Sequence, residues 1–295
     1  MTIRNLKIFL QVTACGNSVS EAARKLFISQ PAVSVAIREL EEEYGVRLFE
    51  RLNRHLYLTE KGEQFLEYAT RICALVDDAS SAMRDGAAGS LRVGASVSSG
   101  AFLMPQLIGQ FRIRYPDAKV YVTTQASLAL EQKLLTNTLD LAICEIPVHN
   151  AALLSKVILS DRLVACCSVP ARRQFPDLLT DKKLCSSPLL LREKGSGTRM
   201  IIDEALAKEG LACRPVWESG SWEAILSAAK TGLGIAVLPH MVAEKSLSEG
   251  SLIEIPVSGR PLQQDFTLVW HKDKIITDMM TDFMELAQSQ KKAGR

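Results

Sequence analysis

The chain has 295 residues, of which 47% are apolar and 23% charged, and its formal net charge at pH 7 is +2. That length and apolar content exclude a disordered chain and support two or three compact units with sizeable cores. No apolar run is long enough to span a membrane, and the near balance of charge excludes a generally basic surface, so any contact with nucleic acid must be local.

The start, Met1-Thr2-Ile3-Arg4-Asn5, lacks the basic-then-apolar layout of a signal peptide, so a cytoplasmic protein without a membrane partner is expected. The spacing predicts a first helix over 5–14, with Leu6, Phe9, Leu10 and Thr13 facing a core and Gly16 ending it. Ser18 and Glu21 have the spacing of a capping box, so a second helix starts at Val19 and buries Ala22, Ala23 and Leu26. Phe27-Ile28-Ser29 breaks the period. Ser29 caps a third helix, and Pro31 fits its first turn because the N–H it lacks has no helical partner there. Val33, Ile37 and Leu40 lie on one face of this helix, while Gln30, Ser34 and Arg38 recur at intervals of four on another. Polar side chains on an exposed helix start are what reading base edges in a major groove requires. Glu41-Glu42-Glu43 makes the far end acidic, so the start of the helix faces DNA. Apolar Val46, Leu48 and Phe49 then lead to Arg51, Arg54 and His55 before a strand-like Leu56-Tyr57-Leu58, a basic hairpin suited to phosphates.

Thr59 caps a long helix running to about residue 85, in which Phe65, Ala69, Ile72, Val76, Ala79 and Met83 alternate in steps of four and three. That is a heptad seam, so this helix is expected to pair two copies and hold two recognition helices one DNA turn apart. Asp85-Gly86-Ala87-Ala88-Gly89-Ser90 is a small-residue hinge. Beyond it strands at 91–95, 119–123 and 139–144 alternate with helices at 102–115 and 127–135, the order of a mostly parallel sheet. A second α/β unit begins near Leu163, with strands at 163–167, 188–191, 216–218 and 234–238 and helices at 197–208 and 222–231; a strand at 266–271 and a helix at 275–288 close the chain.

In open α/β sheets ligands bind beyond the carboxyl ends of strands, where helix starts present free N–H groups. Ser98 and Ser99, Ser127, and Ser196-Gly197-Thr198 occupy such places, so a small anion or acid held by these residues is the expected effector; Trp222 either lines the same cleft or belongs to the core. There is no P-loop, G-x-S-x-G or H-E-x-x-H, and the seven cysteines and four histidines show no metal-ligand spacing. Neither an enzyme nor a bound cofactor or metal is expected; a dispersed α/β active site is the alternative from another class.

The residues Ala22-Ala23, Leu26, Ser29-Gln30-Pro31-Ala32-Val33-Ser34, Ile37, Leu40-Glu41, Gly45-Val46, Leu48-Phe49-Glu50-Arg51 and Leu58-Thr59-Glu60-Lys61-Gly62 stand in an order that resembles the LysR-type transcriptional regulators, and the resemblance runs over nearly the whole chain. It implies an α plus α/β fold: a winged helix-turn-helix over 1–58, a coiled-coil linker helix and hinge over 59–88, and a two-lobed effector domain like a periplasmic binding protein over 89–295. Lobe I would take about 91–162 and 267–295, the last elements returning to it, and lobe II about 163–266. The DNA-binding set would be Ser29, Gln30, Pro31, Ala32, Val33, Ser34, Arg38, Arg51 and Arg54, with Gln30, Ser34 and Arg38 on bases and Ser29, Arg51 and Arg54 on phosphates. Val35-Ala36 stands where the family often has Arg or Gln, which suggests an apolar contact with a thymine methyl. The resemblance further implies promoter DNA, a small-molecule effector in the cleft, RNA polymerase, and a homotetramer built as a dimer of dimers. Family relatives include cysteine-pair peroxide sensors; Cys185 and Cys213 flank the candidate site, so redox sensing is a second possible signal.

Overall fold

The computed structural model describes residues 1–52, 55–84, 89–145, 147–148, 150–259 and 261–290. Arg54, His149 and the hinge residues 85–88 lie outside the described residues, as does the side chain of Met83. The chain divides into two compact units, one of residues 1–89 with 133–139 and one of residues 90–132 with 140–295.

The first unit contains helices α1 (Ile3–Ala14), α2 (Val19–Leu26) and α3 (Gln30–Tyr44), the antiparallel hairpin β1 (Phe49–Leu52) and β2 (His55–Leu58), and the long helix α4 (Glu60–Arg84). The caps follow the sequence. Ser18 Oγ accepts the Glu21 N–H at 3.2 Å, and Ser29 Oγ accepts the Ala32 N–H at 3.4 Å. Between α2 and α3 the turn passes through Phe27, whose φ of 56° is left-handed and whose ring is 94% exposed. A β-carbon in that region costs about 1 kcal/mol, and Asn tolerates it better than Phe. Phe27→Asn is therefore expected to raise stability by about 0.5–1 kcal/mol, read as a higher urea midpoint at unchanged slope; a lowered midpoint would contradict it.

Leu6, Phe9, Val12, Val33, Leu40 and Leu48 form the centre of this unit. Phe65 of α4 meets Phe9 edge-on at 5.1 Å, and Ala69 and Cys73 are buried in the same cluster. Gly62 brings α4 in close: a β-carbon there would lie 2.1 Å from the Leu48 carbonyl oxygen. The first part of the expected heptad seam, Phe65 and Ala69, thus packs on its own unit. Among the described side chains, the apolar residues that α4 leaves to solvent are Tyr68, Leu75 and Ala79, with half-buried Ile72 between them. Tyr68, Ile72, Leu75 and Ala79 also alternate in steps of four and three, rotated from the first seam.

In the second unit one path of strands runs through both halves. The first half holds β3 (Ser90–Ala95), a π turn (Ser99–Leu103) leading into α5 (Met104–Arg114), β4 (Lys119–Thr124), α6 (Ser127–Leu135) and β5 (Leu141–Cys144). A single long strand, β6 (Leu153–Ser168), then crosses into the second half. There follow α7 (Asp181–Cys185), β7 (Leu189–Arg192), α8 (Gly197–Lys208), β8 (Trp217–Ser219), α9 (Trp222–Lys230), β9 (Ile235–Pro239), α10 (His240–Ser248) and β10 (Leu252–Ile255). β11 (Gln263–His271) returns, pairing antiparallel with β6 along its length and with β5 at Thr267–Val269, and α11 (Asp278–Ser289) closes the chain. The order is β4-β3-β5-β11-β6-β9-β7-β8, with β10 on β6. Leu91, Val93, Leu107, Ile143, Phe266 and Phe283 centre the core of the first half, and Val164, Leu190, Trp222, Ile225, Ala236 and Leu238 one core of the second.

Two points differ from the sequence reading. The strand expected at Leu163 begins at Leu153, because its leading part is mostly exposed and carries polar Ser155, Lys156, Ser160 and Asp161 rather than an alternating pattern. The short elements α7, α10 and β10 went unread. Cys185 and Cys213 form a disulfide with their Cα atoms 4.8 Å apart. Of the other cysteines, Cys144 and Cys166 are buried thiols whose pKa burial pushes up to about 12, which makes them poor nucleophiles.

Candidate functional site

The first candidate surface is built by α3 and the hairpin. Gln30, Pro31, Ser34, Val35 and Arg38 are exposed along the start of α3, Ser29 is exposed as its cap, and Ala32 is partly exposed. Val33 and Ala36 point the other way, at 0% and 5% exposure, so they hold the helix down and leave Val35 as the apolar side chain on the outer face. A groove of about 630 Å³ between α3 and the hairpin is lined by Ser34, Arg38, Glu41, Arg47, Glu50 and Arg51. Its floor is set by Glu41. One carboxylate oxygen accepts the N–H groups of Leu48 and Phe49 at 2.8 and 3.2 Å, which fixes the hairpin against the third turn of α3. Arg47 makes only a 3.5 Å contact with the other oxygen and is 84% exposed. Arg38, Arg47 and Arg51 therefore surround an open groove, and none of the three makes a close ion pair among the described residues.

The second candidate surface lies where the two halves of the sheet meet. Trp222 Nε1 donates to Ser98 Oγ at 3.0 Å across the junction, and Val97 and Phe102 pack on the cluster around Trp222. The Arg192 guanidinium lies 4.6 Å from the centre of the Trp222 ring. Arg192 is 2% exposed; its Nε and Nη2 donate to Glu193 at 2.7 and 2.8 Å, and its Nη1 has no partner among the described residues. Burial pushes the Glu193 carboxyl up, but the Arg192 hydrogen bonds outweigh it and hold the carboxyl below its usual range. Ser196 caps α8 by accepting the Arg199 N–H at 3.3 Å; Gly197 and Thr198 form its buried first turn, whose N–H groups have no intrahelical acceptor. Thr198 Oγ1 donates to Gln264 Oε1 at 2.7 Å, and the fully buried Gln264 Nε2 has no partner among the described residues.

On the opposite side the serine hydroxyls are already engaged. Ser99 Oγ bonds Ser96 Oγ at 2.8 Å and donates to the Ile143 carbonyl at 3.0 Å. Ser127 Oγ accepts the Glu145 N–H at 3.3 Å, and Ser98 Oγ accepts from Trp222. The position for an anion where the π turn begins is filled from within: Glu145 Oε1 accepts the Ser98 N–H at 3.0 Å and the Ser96 hydroxyl at 2.7 Å. Among the described residues no cluster of His, Cys, Asp and Glu could hold a metal, and no helix is long and apolar enough to cross a membrane.

Residues 84–292 match the family model described as the LysR substrate binding domain, and residues 3–63 match that of the bacterial regulatory helix-turn-helix protein, lysR family. The chain belongs to the LysR family. Among its relatives, the HTH-type transcriptional activator CmpR of Synechocystis sp. is 31% identical over 292 residues, covering 96% of this chain and 94% of that protein. The regulator CbbR of Rhodospirillum rubrum is 32% identical over 291 residues, covering 97% and 96%. Among solved structures, a full-length OxyR variant of Pseudomonas aeruginosa gives a TM-score of 0.71 at 25% identity, over 98% of this chain and 97% of that one. CbnR, a LysR family regulator solved in full length with its target DNA, gives 0.71 at 22% identity over 98% and 99%, a likeness of fold.

This LysR-type chain is thus a transcriptional regulator with a DNA-binding helix-turn-helix and an effector-binding domain. Of the DNA-binding set, Ser29, Gln30, Pro31, Ser34, Arg38 and Arg51 lie on the outer side of α3 and the hairpin, Val33 lies in the core, and Arg54 is outside the described residues. Of the effector set, Ser196, Gly197 and Thr198 sit together at the α8 start, while Ser98, Ser99 and Ser127 serve the internal network around Glu145. The sequence singles out none of Arg47, Glu145, Arg192 and Gln264 as a site residue, although Arg192 opens the loop that leads to Ser196. Arg192 and Glu145 each lie at the carboxyl end of a strand, the place where ligand groups collect in such sheets. Gln264 has no such signal, because its partner Thr198 is 66 residues away in sequence.

Proposed function

We propose that residues 1–58 read promoter DNA through α3, that α4 pairs two copies, and that residues 89–295 sense a small acid between the lobes. Arg192 carries the effector reading. A guanidinium at 2% exposure with an unpartnered Nη1 suits a carboxylate or similar oxyanion, and the α8 start and the unpartnered Gln264 Nε2, joined through Thr198, offer further donors in the same lobe. Ser196, Gly197 and Thr198 supply the helix start, and acid binding changes how the lobes close and so the spacing of paired recognition helices. Tyr68, Ile72, Leu75 and Ala79 favour pairing through α4. The edge strands β4 and β8, with exposed Tyr121, Val122 and Trp217, favour a further contact between copies and hence a tetramer. The protein acts in the cytoplasm, contacts RNA polymerase at the promoter, and catalyses no reaction. A gel shift on the DNA beside its own gene, repeated with small carboxylic acids, tests this reading. The expected result is a retarded complex whose mobility or affinity changes with one of the acids; no retardation at low salt would overturn it.

The Cys185–Cys213 disulfide favours a second reading. It ties the end of α7 to the segment after α8, and so brackets the helix whose start forms the site. Two thiols and a hydroperoxide would give the disulfide, an alcohol and water, and the bond would tune effector affinity. If so, dithiothreitol changes the gel shift of the wild type and leaves that of Cys213→Ser unchanged; equal responses would exclude redox control.

A further inference from the structure

The same site carries a fixed negative charge that a simple acid does not use. Glu145 follows β5, is 6% exposed and forms no ion pair among the described residues. Its carboxylate is neutralised in part by the Ser98 N–H and the Ser96 hydroxyl. The same Ser98 accepts the Trp222 bond from the other lobe, and the Trp222 ring carries Arg192 at 4.6 Å. A carboxylate, a lobe-to-lobe hydrogen bond, an indole and a guanidinium thus follow one another across the junction. One lobe presents a negative pole at Glu145. The other presents donors: the Arg192 Nη1, on a guanidinium whose Nε and Nη2 are already paired with Glu193, together with the Gln264 Nε2 and the α8 start.

A ligand bearing only a carboxylate would occupy these donors and leave its charge facing Glu145. Like charges at a desolvated junction cost affinity, whereas an opposite charge there gains a charge-assisted hydrogen bond. We propose that the effector is a zwitterion of the amino acid class, its carboxylate held by Arg192, Gln264 and the α8 start, and its ammonium by Glu145. This rests on the acid reading above and adds to it the group that selects among acids. A ligand with a charge at each end also bridges the two lobes, which couples its binding to their closure.

Titration calorimetry of the full-length protein with matched pairs tests the proposal. The probes are α-, β- and γ-amino acids, each set against the acid of the same carbon skeleton without the amine. The expected result is that at least one amino acid binds and that its des-amino partner binds at least about tenfold more weakly. Glu145→Gln should erase most of that preference by weakening the amino acid, with its folded state checked by circular dichroism. The matched-pair comparison needs no variant, so misfolding of Glu145→Gln would not remove the test. Acids that bind equally with and without the amine would overturn the zwitterion and leave the acid reading standing. Binding by no acid of either kind would overturn both.

Discussion

Replacing Asp140 by Ala is expected to remove about 3–5 kcal/mol of folding stability. The carboxylate is buried between β3 and the segment after β11. It accepts the Arg92 N–H at 2.7 Å, Arg92 Nη2 at 2.6 Å and Lys274 Nζ at 2.7 Å. The Asp140 N–H in turn donates to the Arg92 carbonyl at 2.8 Å, so the residue also sets the register of the strand beside it. Removing the acid takes this counter-charge away from Arg92 and from a lysine whose side chain is 9% exposed, and the loss of that buried attraction is the main cost. The pH dependence has a definite sign. Burial pushes the Asp140 carboxyl up, but the Arg92 and Lys274 contacts outweigh burial and hold it below its ordinary value of 3.8. A depressed carboxyl stabilises fully above its unfolded pKa and loses that contribution as pH falls through the lower folded value. Urea unfolding of the wild type and Asp140→Ala should therefore differ most at neutral pH and converge in strong acid. A loss below about 1 kcal/mol at pH 7 would mean that the pair contributes no more than a surface bridge.

Gln30→Ala combined with Ser34→Ala is expected to weaken binding to the specific operator by about 30-fold or more, since each good base contact contributes about 1–3 kcal/mol. Both side chains are exposed and outside the core, so thermal stability should stay within about 0.5 kcal/mol of the wild type. Binding to random duplex should hardly change. Arg47→Ala and Arg51→Ala should behave in the opposite way, weakening every duplex alike and lowering the salt slope by about one each. Fluorescence anisotropy on operator and scrambled duplex across a salt series separates the two effects. If the double variant lost affinity for both duplexes equally, α3 would be a phosphate-binding element and sequence would be read elsewhere.

What the sequence disclosed followed from locality. The caps at Ser18 and Ser29 and the bounds of α8 rest on residues a few positions apart, and there expectation and structure agree. The long strand β6 was half invisible because its first part buries only Leu153 and Ile158, five residues apart, which leaves no alternating pattern to read. The start of the α4 seam has a second use, unread for a related reason. A three-four repeat shows that a helix has an apolar stripe but not which neighbour covers it, and Phe65 and Ala69 turned out to serve their own unit. The site was legible where it is a helix start, at Ser196-Gly197-Thr198. It was not legible where it depends on distant partners: Glu145 with Ser98 is 47 residues apart, and Thr198 with Gln264 is 66. The serines of the first lobe looked free for a ligand because the groups that engage them, Glu145, Ile143 and Trp222, are distant in sequence.

Hydroxyl-radical footprinting of the DNA upstream of the protein's own gene tests the paired-recognition account most directly. Two α3 helices held together should protect two patches on one face of the duplex, their centres separated by one turn of about 10–10.5 base pairs or a whole multiple of it. A single patch, or protection without helical phasing, would contradict it.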